Sequence, residues 1–204
     1  MTTDTPPRPN HHAHHEGFAG ARGLLAGLTM SLGREGDARL AAELTDLTAQ
    51  DRLVDLGCGP GAAARFAAGR GARVTGIDPA PVMLDLARRL TRRSADASFV
   101  EGAAEAIPLP DGCATVVWAL ATVHHWPALE TSLAEVGRIL VPGGRFAAIE
   151  RHTSPGATGH ASHGWTDERA AAFAELCRTA GFDDVSVGRH PGRRRLVSVV
   201  ARRP

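Results

Sequence analysis

The sequence predicts a single α/β domain built on a doubly wound parallel sheet with its last strand antiparallel, preceded by helices that serve as a lid. Three observations carry this reading. Strand-like and helix-like segments alternate along most of the run from Arg52 to Glu150, which calls for right-handed crossovers and a sheet covered on both faces. A glycine-rich turn stands where the first strand meets the first crossover helix. The last two strands are joined by only a Gly and Arg turn, too short for a crossover, so they form an antiparallel hairpin.

Taken in order, residues 1–17 are a flexible tail: Met1 to His15 holds three prolines and four histidines and no apolar period. Leu24, Leu25 and Leu28, then Leu40, Leu44 and Leu47, recur at helical spacing around a break at Gly33 to Gly36. Residues 18–48 are therefore read as two helices forming the lid, and residues 51–204 as the core. In the core, strands are expected at Arg52 to Leu56, Arg73 to Ile77, Ala97 to Val100, Thr115 to Leu120 and Arg145 to Glu150. Helices are expected at Gly61 to Arg70, Pro81 to Arg92 and Leu129 to Leu140. A helix from Asp167 to Thr179 then leads through Gly181 into the hairpin of Asp184 to Gly188 and Leu196 to Ala201.

Composition narrows the function. The 204 residues are 22% charged and 43% hydrophobic, the profile of one soluble domain, and the net charge of +1 gives no footprint for nucleic acid or an anionic membrane. All 23 basic residues are Arg, and there is no Tyr, so Schiff-base chemistry, a phosphate-loop lysine and phenolic acid catalysis are excluded. Cys58, Cys113 and Cys177 are widely spaced, which speaks against a disulfide framework or a thiolate zinc site and for a cytoplasmic home. No apolar stretch approaches the roughly 20 residues of a membrane span, and the start is too polar for a signal peptide.

The strongest motif is Asp55-Leu56-Gly57-Cys58-Gly59-Pro60-Gly61. Glycines here allow a sharp turn and let a ligand approach the backbone where a Cβ would intrude. Asp78, at the end of the next strand, is placed to hold both hydroxyls of a ribose, so the pair marks a nucleoside ligand rather than a mere tight turn. Gly57, Gly59 and Ala62 also match a dinucleotide fingerprint. Asp55 argues against it, because a carboxylate before the loop repels a pyrophosphate and welcomes an ammonium and a sulfonium.

From Arg52 to Ile149 the chain resembles a class I S-adenosylmethionine-dependent methyltransferase of the type 11 group, similar to the quinone-biosynthesis enzymes. The resemblance rests on the loop Asp55 to Gly61, on Asp78, on the stretch Val100 to Pro110, on His124-His125-Trp126 and on Leu140-Val141-Pro142-Gly143-Gly144. It implies a Rossmann-like seven-stranded sheet and S-adenosyl-L-methionine as cofactor. It further implies Gly57, Gly59 and Gly61 under the methionine portion, Asp78 on the ribose, and Ala103, Ala104 and Glu105 beside the adenine. Asp55, Pro79, Met83 and Ala119 complete the implied cofactor contacts. The chain departs from the group at Ala103, where an Asp often faces the adenine amine, and at Ala114-Thr115, where Phe-Asp is usual.

Methyl transfer from a sulfonium asks the protein mainly for alignment and a dry site, and no metal is expected. Removing a proton from a hydroxyl acceptor is helped by a base of near-neutral pKa, and His124 and His125 follow the fourth strand at its carboxyl end. One of them is the candidate base; the competing reading is a histidine that hydrogen-bonds a nearby carbonyl. The connection Arg151 to Trp165 supplies candidate substrate residues in His152, His163 and Trp165, a mix suited to a sugar, unless it is a solvated loop whose Trp165 packs on the following helix. His11, His12, His14 and His15 can chelate a metal only if the tail becomes helical. Arg193-Arg194-Arg195 and Arg202-Arg203 are either an anion clamp or a solvated sheet edge.

The expectation is thus a cytoplasmic, monomeric or homodimeric methyltransferase that O-methylates a hydroxyl of a polar small-molecule acceptor such as a saccharide, without nucleic-acid or membrane partners. An aromatic or quinone-like acceptor, methylated at O or C, is the nearest alternative. An NAD-dependent oxidoreductase and a non-catalytic nucleoside-binding protein are the alternatives of other kinds.

Overall fold

A computed structural model describes residues 9, 35–91, 96–192 and 194–204. All seven expected strands form one sheet: β1 (Arg52–Leu56), β2 (Arg73–Asp78), β3 (Ala97–Glu101), β4 (Ala114–Leu120), β5 (Leu140–Arg151), β6 (Asp183–His190) and β7 (Leu196–Arg202), in spatial order β3-β2-β1-β4-β5-β7-β6. The ladders β2/β3, β1/β2, β1/β4 and β4/β5 are parallel, while β7 runs antiparallel to both β5 and β6. The sheet is therefore the expected Rossmann-like one. Its strand order reverses between β1 and β4, and in such sheets the crevice at that switch point, beyond the carboxyl ends, receives the ligand.

The central strands read as near-continuous apolar runs because both of their faces are covered. Alternation along β4 divides the core in two. Val117 and Ala119 join Leu56, Phe146, Trp165 and Phe173 on one face, beneath the helices α4 (Leu129–Ile139) and α5 (Asp167–Thr179). Val116, Trp118 and Leu120 join Leu53, Val74 and Ile149 on the other, beneath α1 (Glu35–Leu44), α2 (Ala62–Ala68) and α3 (Pro81–Leu90).

Helix ends follow local chemistry. The helix expected from Gly61 starts one residue later, because Gly61 itself is left-handed at φ 75°. Pro81 occupies the first turn of α3, where its missing N–H costs nothing. Thr166 caps α5 by accepting from the Arg169 amide, and Asp167 and Glu168 fill the first turn. β5 begins five residues before the expected Arg145, since Gly143 and Gly144 exchange backbone hydrogen bonds with Arg203.

The N-terminal segment is described in part. Its first helix, around Leu24 to Leu28, lies outside the described residues. The second is α1, whose Ala38, Ala41 and Ala42 are buried in the core beside Trp118 and Ala147. Trp118 Nε1 donates to Thr45 Oγ1, which in turn donates to the Ala41 carbonyl, so α1 is anchored to the central strand. Of the tail, Pro9 is described, and its carbonyl accepts from Trp165 Nε1 at 3.0 Å.

Asp51 ties the layers together ahead of β1. Its carboxylate accepts from the Thr48 amide and hydroxyl, from Thr115 Oγ1 at 2.7 Å and from the Arg145 guanidinium. Thr115 thus has a structural use at its unusual position, bridging Asp51 and the Arg52 amide. Burial pushes the Asp51 carboxyl up, but the Thr115, Thr48 and Arg145 contacts outweigh it and hold the carboxyl below its ordinary value. A depressed folded value means that the stabilisation is complete above the unfolded value and is lost as pH falls through the folded one. Asp51→Ala is expected to lose about 3 kcal/mol of stability in urea at neutral pH. The difference from the parent should shrink below about pH 4; an unchanged difference in acid would show that charge is not involved.

Candidate functional site

The carboxyl ends of β1, β2, β4 and β5 converge on the crevice. After β1 the chain turns through Gly57, Gly59 and Gly61, all at positive φ. The Gly57 and Cys58 amides both donate to the Ile77 carbonyl, at 2.8 and 3.0 Å, which fastens the loop to the end of β2. Asp78 completes the fastening: Oδ2 accepts from the Gly59 amide at 2.8 Å and Oδ1 from the Ala80 amide at 2.9 Å. Burial raises the Asp78 carboxyl above its ordinary value, against the lowering effect of these two amides. Each oxygen keeps a further lone pair for a ligand.

A cleft opens beside this loop, lined by Asp55, Gly57, Gly59 and Leu120 together with Cys58, Pro60, Ala62 and Ala63. Beyond the bare Cα of Gly59 there is open space to at least 4 Å where a side chain would stand. Cys58 was not anticipated as a lining residue. Burial, with Asp55 and Asp78 close by, drives its thiol well above the ordinary range, so it stays protonated and contributes shape rather than a nucleophile.

The other expected cofactor contacts are distributed more widely. Met83 is buried near the start of α3, and Pro79 follows Asp78 at the end of β2. Ala103 and Ala106 form a small bridge in the turn after β3, and Ala104 is buried. Glu105 carries a buried Oε2 with no hydrogen-bond partner among the described residues. Ala119 is fully enclosed in the core, whereas its neighbour Leu120 reaches the cleft.

β4 ends in a strained turn. Ala121 adopts φ 51°, unusual for a residue with a side chain, while its amide donates to the Ile149 carbonyl at 2.7 Å. The turn brings Thr122 over Gly57: a Cβ on Gly57 would lie 2.2 Å from Thr122 Oγ1. A short 3-10 turn, Val123–His125, comes next. His124 is buried, and its Nδ1 lies 2.9 and 3.0 Å from the two carboxylate oxygens of Glu150. Glu150 is 1% exposed near the end of β5 and also accepts from the His124 amide.

His163 joins this group from the connection after β5. Its ring centroid lies 5.6 Å from that of His124 and 5.8 Å from that of His125, while the His124 and His125 centroids are 4.1 Å apart. The connection is fixed at its base. Arg151 Nε donates to the His163 carbonyl, the Trp165 amide to the Arg151 carbonyl and the Thr153 amide to the Trp165 carbonyl. Gly164 sits so close that a Cβ would stand 2.1 Å from the Arg151 carbonyl oxygen.

His163 is thus the one expected substrate residue that reaches the histidine turn. Trp165 corrects the expectation of an aromatic plate for a sugar, for it is completely buried and packs on Phe173 of α5 at 4.9 Å between centroids. His152 faces another way, with Nε2 3.2 Å from Asp167 Oδ1, where Arg189 also binds. Burial raises the Asp167 carboxyl, and Arg189 and His152 more than reverse this. Arg194 pairs with Asp37 of α1, so this member of the arginine turn serves the fold. The residue that sequence reading missed is Glu150. Its signal was a lone acid closing the apolar run Phe146 to Ile149, at the end of the sheet where the ligand binds.

Residues 54–148 match the type 11 methyltransferase domain. The demethylmenaquinone methyltransferase of Thermus thermophilus is 38% identical over 115 residues, covering 55% of this chain and 52% of the relative. The 27-O-demethylrifamycin SV methyltransferase of Amycolatopsis mediterranei is 40% identical over 113 residues, covering 53% of this chain and 41% of the relative. The chain spans about half, or less, of the length of these curated relatives. Among solved structures, a SAM-dependent methyltransferase from Aquifex aeolicus has a TM-score of 0.72 at 17% identity, covering 88% of this chain and 98% of that one, a likeness of fold.

The packing of Gly164 can be separated from its backbone preference. Gly143 also has a positive φ, yet a Cβ there meets nothing within 4 Å. Gly143→Ala is expected to cost about 1 kcal/mol from backbone strain alone. Gly164→Ala should cost about 3 kcal/mol or more, because the collision adds to the strain. Urea unfolding of the two variants measures the gap, and equal costs would mean that the Arg151 carbonyl yields freely.

Proposed function

We propose, for a chain whose residues 54–148 match the methyltransferase domain family, that it uses S-adenosyl-L-methionine to methylate a hydroxyl group of a small-molecule acceptor. The observation that carries the hydroxyl reading is the buried His124–Glu150 contact, with His125 and His163 beside it, at the crevice end of β4 and β5.

The residues present fit the cofactor. The space beyond Gly59 admits a ligand against the backbone, and Asp78 retains acceptor capacity on both oxygens for ribose hydroxyls. Asp55 lines the cleft and favours a ligand that carries positive charge, and Glu105 Oε2, with no hydrogen-bond partner among the described residues, is a further acceptor. When bound, the cofactor supplies an electrophilic methyl: the acceptor oxygen bonds to its carbon, the carbon–sulfur pair returns to sulfur, and a methyl ether, S-adenosylhomocysteine and one proton result.

The chain's own contribution is to orient the acceptor, exclude water and help the hydroxyl proton leave. Glu150 holds His124 by Nδ1, so the ring presents Nε2 away from the carboxylate. His125 and His163 add two more imidazoles to the same spot. The polar connection after β5 supports a polyhydroxylated acceptor such as a saccharide, although without an aromatic platform from Trp165. A quinone-like phenol is the second reading, favoured by the demethylmenaquinone methyltransferase among the relatives. Turnover of a panel of phenolic and saccharide acceptors with labelled cofactor separates the two.

His124→Ala and His125→Ala are each expected to lower turnover by about a hundredfold or more, with cofactor affinity nearly unchanged. Full activity in both would remove the histidines from the reaction. Asp78→Ala should weaken cofactor binding by roughly tenfold to a hundredfold in calorimetry, the worth of hydrogen bonds to a charged group. Binding of NADH in place of S-adenosylmethionine would overturn the reading from the cofactor upward.

A further inference from the structure

We propose that His124, His125 and His163 together form a site for a first-row divalent cation of the zinc type. Each offers one ring nitrogen, and these three nitrogens lie within 4.8 Å of one another. Three nitrogens around a tetrahedral zinc at 2.0–2.1 Å stand about 3.4 Å apart, so ring rotations that bring the nitrogens about an ångström closer complete the set.

The three rings are brought together by independently anchored elements. His124 and His125 are delivered by the 3-10 turn after β4, which Trp126 anchors through its burial and its edge contact with Phe173. His163 comes from the other side, its carbonyl held by Arg151 and its neighbour Gly164 pressed against the Arg151 backbone. A site assembled on two braced segments is pre-organised, which lowers the entropy cost of gathering the ligands.

Glu150 supplies the feature that distinguishes a ligand histidine. Metal-bound imidazoles usually give their second nitrogen to a carboxylate or carbonyl, which fixes the ring and raises its basicity. Here Nδ1 of His124 faces both oxygens of Glu150, leaving Nε2 as the outward donor. The charge also fits: Glu150 is a completely buried carboxylate, and a dication one imidazole away offsets it. An all-imidazole set suits zinc, copper, nickel or iron and not the oxygen-seeking magnesium and calcium.

Three protein ligands leave a coordination position open, as catalytic zinc sites do. This part of the inference rests on the methyl-transfer reading and deepens it: the open position takes the acceptor oxygen. With the cation bound, the histidines act through it and not as free bases: the acceptor O–H bond breaks with its electron pair remaining on the metal-held oxygen, and the proton passes to solvent. Thr122, two residues before His124, covers Gly57, so the cation would stand next to the cofactor loop.

The test uses the full chain with His11, His12, His14 and His15 replaced by Gln, so that the tail does not compete. After stripping with a chelator, it is titrated with Zn2+ by calorimetry and with Co2+ by visible absorption, in the absence of cofactor and acceptor. One equivalent of each, with the intense absorption of low-coordinate cobalt, is expected. Glu150→Gln should weaken binding by about 10- to 100-fold. His163→Ala should weaken it at least as much, while His190→Ala leaves it unchanged; circular dichroism and thermal unfolding verify that each variant is folded. Absence of stoichiometric binding, or binding that a folded His163→Ala retains in full, overturns the site. Undiminished methyl transfer by the stripped protein overturns its role on the acceptor. Because the titrations contain no cofactor, failure of the methyltransferase reading leaves their result standing.

Discussion

The contact between Gly57 and Thr122 governs how the crevice is built. Thr122 Oγ1 fills the place that any side chain on Gly57 would need. With that space vacant, the connection after β4 lies directly on the connection after β1, and the two halves of the crevice meet. Ala121 bears the cost, held in a left-handed conformation by the bond from its amide to Ile149. The same bond sets β4 against β5 one residue before Glu150, and so His124 meets that carboxylate. A larger residue at 57 would push the histidine turn outward and separate the imidazoles from the loop.

The two halves of the crevice use charge differently. On the β1/β2 side, Asp78 is stabilised by backbone amides, groups that cannot move away, and its burial costs less because both donors are fixed before any ligand arrives. On the β4/β5 side, Glu150 meets an imidazole, a partner able to exchange a proton or take a metal on its far nitrogen. The first arrangement is a fixed frame with acceptor capacity to spare. The second leaves a chemical degree of freedom, a place for proton exchange, in the crevice. A chain without Lys or Tyr has imidazole as its natural group for that task near neutral pH.

Much of the fold was legible in the sequence because a parallel sheet leaves strong local marks. Every strand was anticipated, since β1 and β4 are apolar on both faces and the Gly and Arg turn forbids a crossover. The glycine loop was legible for the same reason: positive φ at Gly57, Gly59 and Gly61 demands glycine, and glycine is visible in a sequence. The features that escaped depend on distance in space. Glu150 looked like the end of a strand, and only the register of β4 on β5 brings it to His124. For Trp165 the sequence left two readings, a plate for a sugar and packing on the following helix, and the bridge from Trp165 to His152 decides for the second by turning it into the core against Phe173. The α1 leucines gave the right period, but the deciding surface is the alanine face beneath them, which packs where a longer side chain would not fit.

The boundary of the family match separates the shared frame from the particular chemistry. It runs from residue 54 to 148 and therefore contains the glycine loop, Asp78, the turn after β3 and the paired histidines. It ends two residues before Glu150 and well before His163. The carboxylate that orients His124 and the third imidazole thus both come from the segment that the match leaves out. Sites grafted onto a common frame take their chemistry from such segments. The match therefore speaks for the frame and is silent on the segment beyond β5. In this chain that segment is a connection braced at its base by Arg151 and Gly164, which brings a histidine to the crevice and an indole to the core. Residues 150–165, outside the match, are therefore where this chain makes its own additions to the crevice.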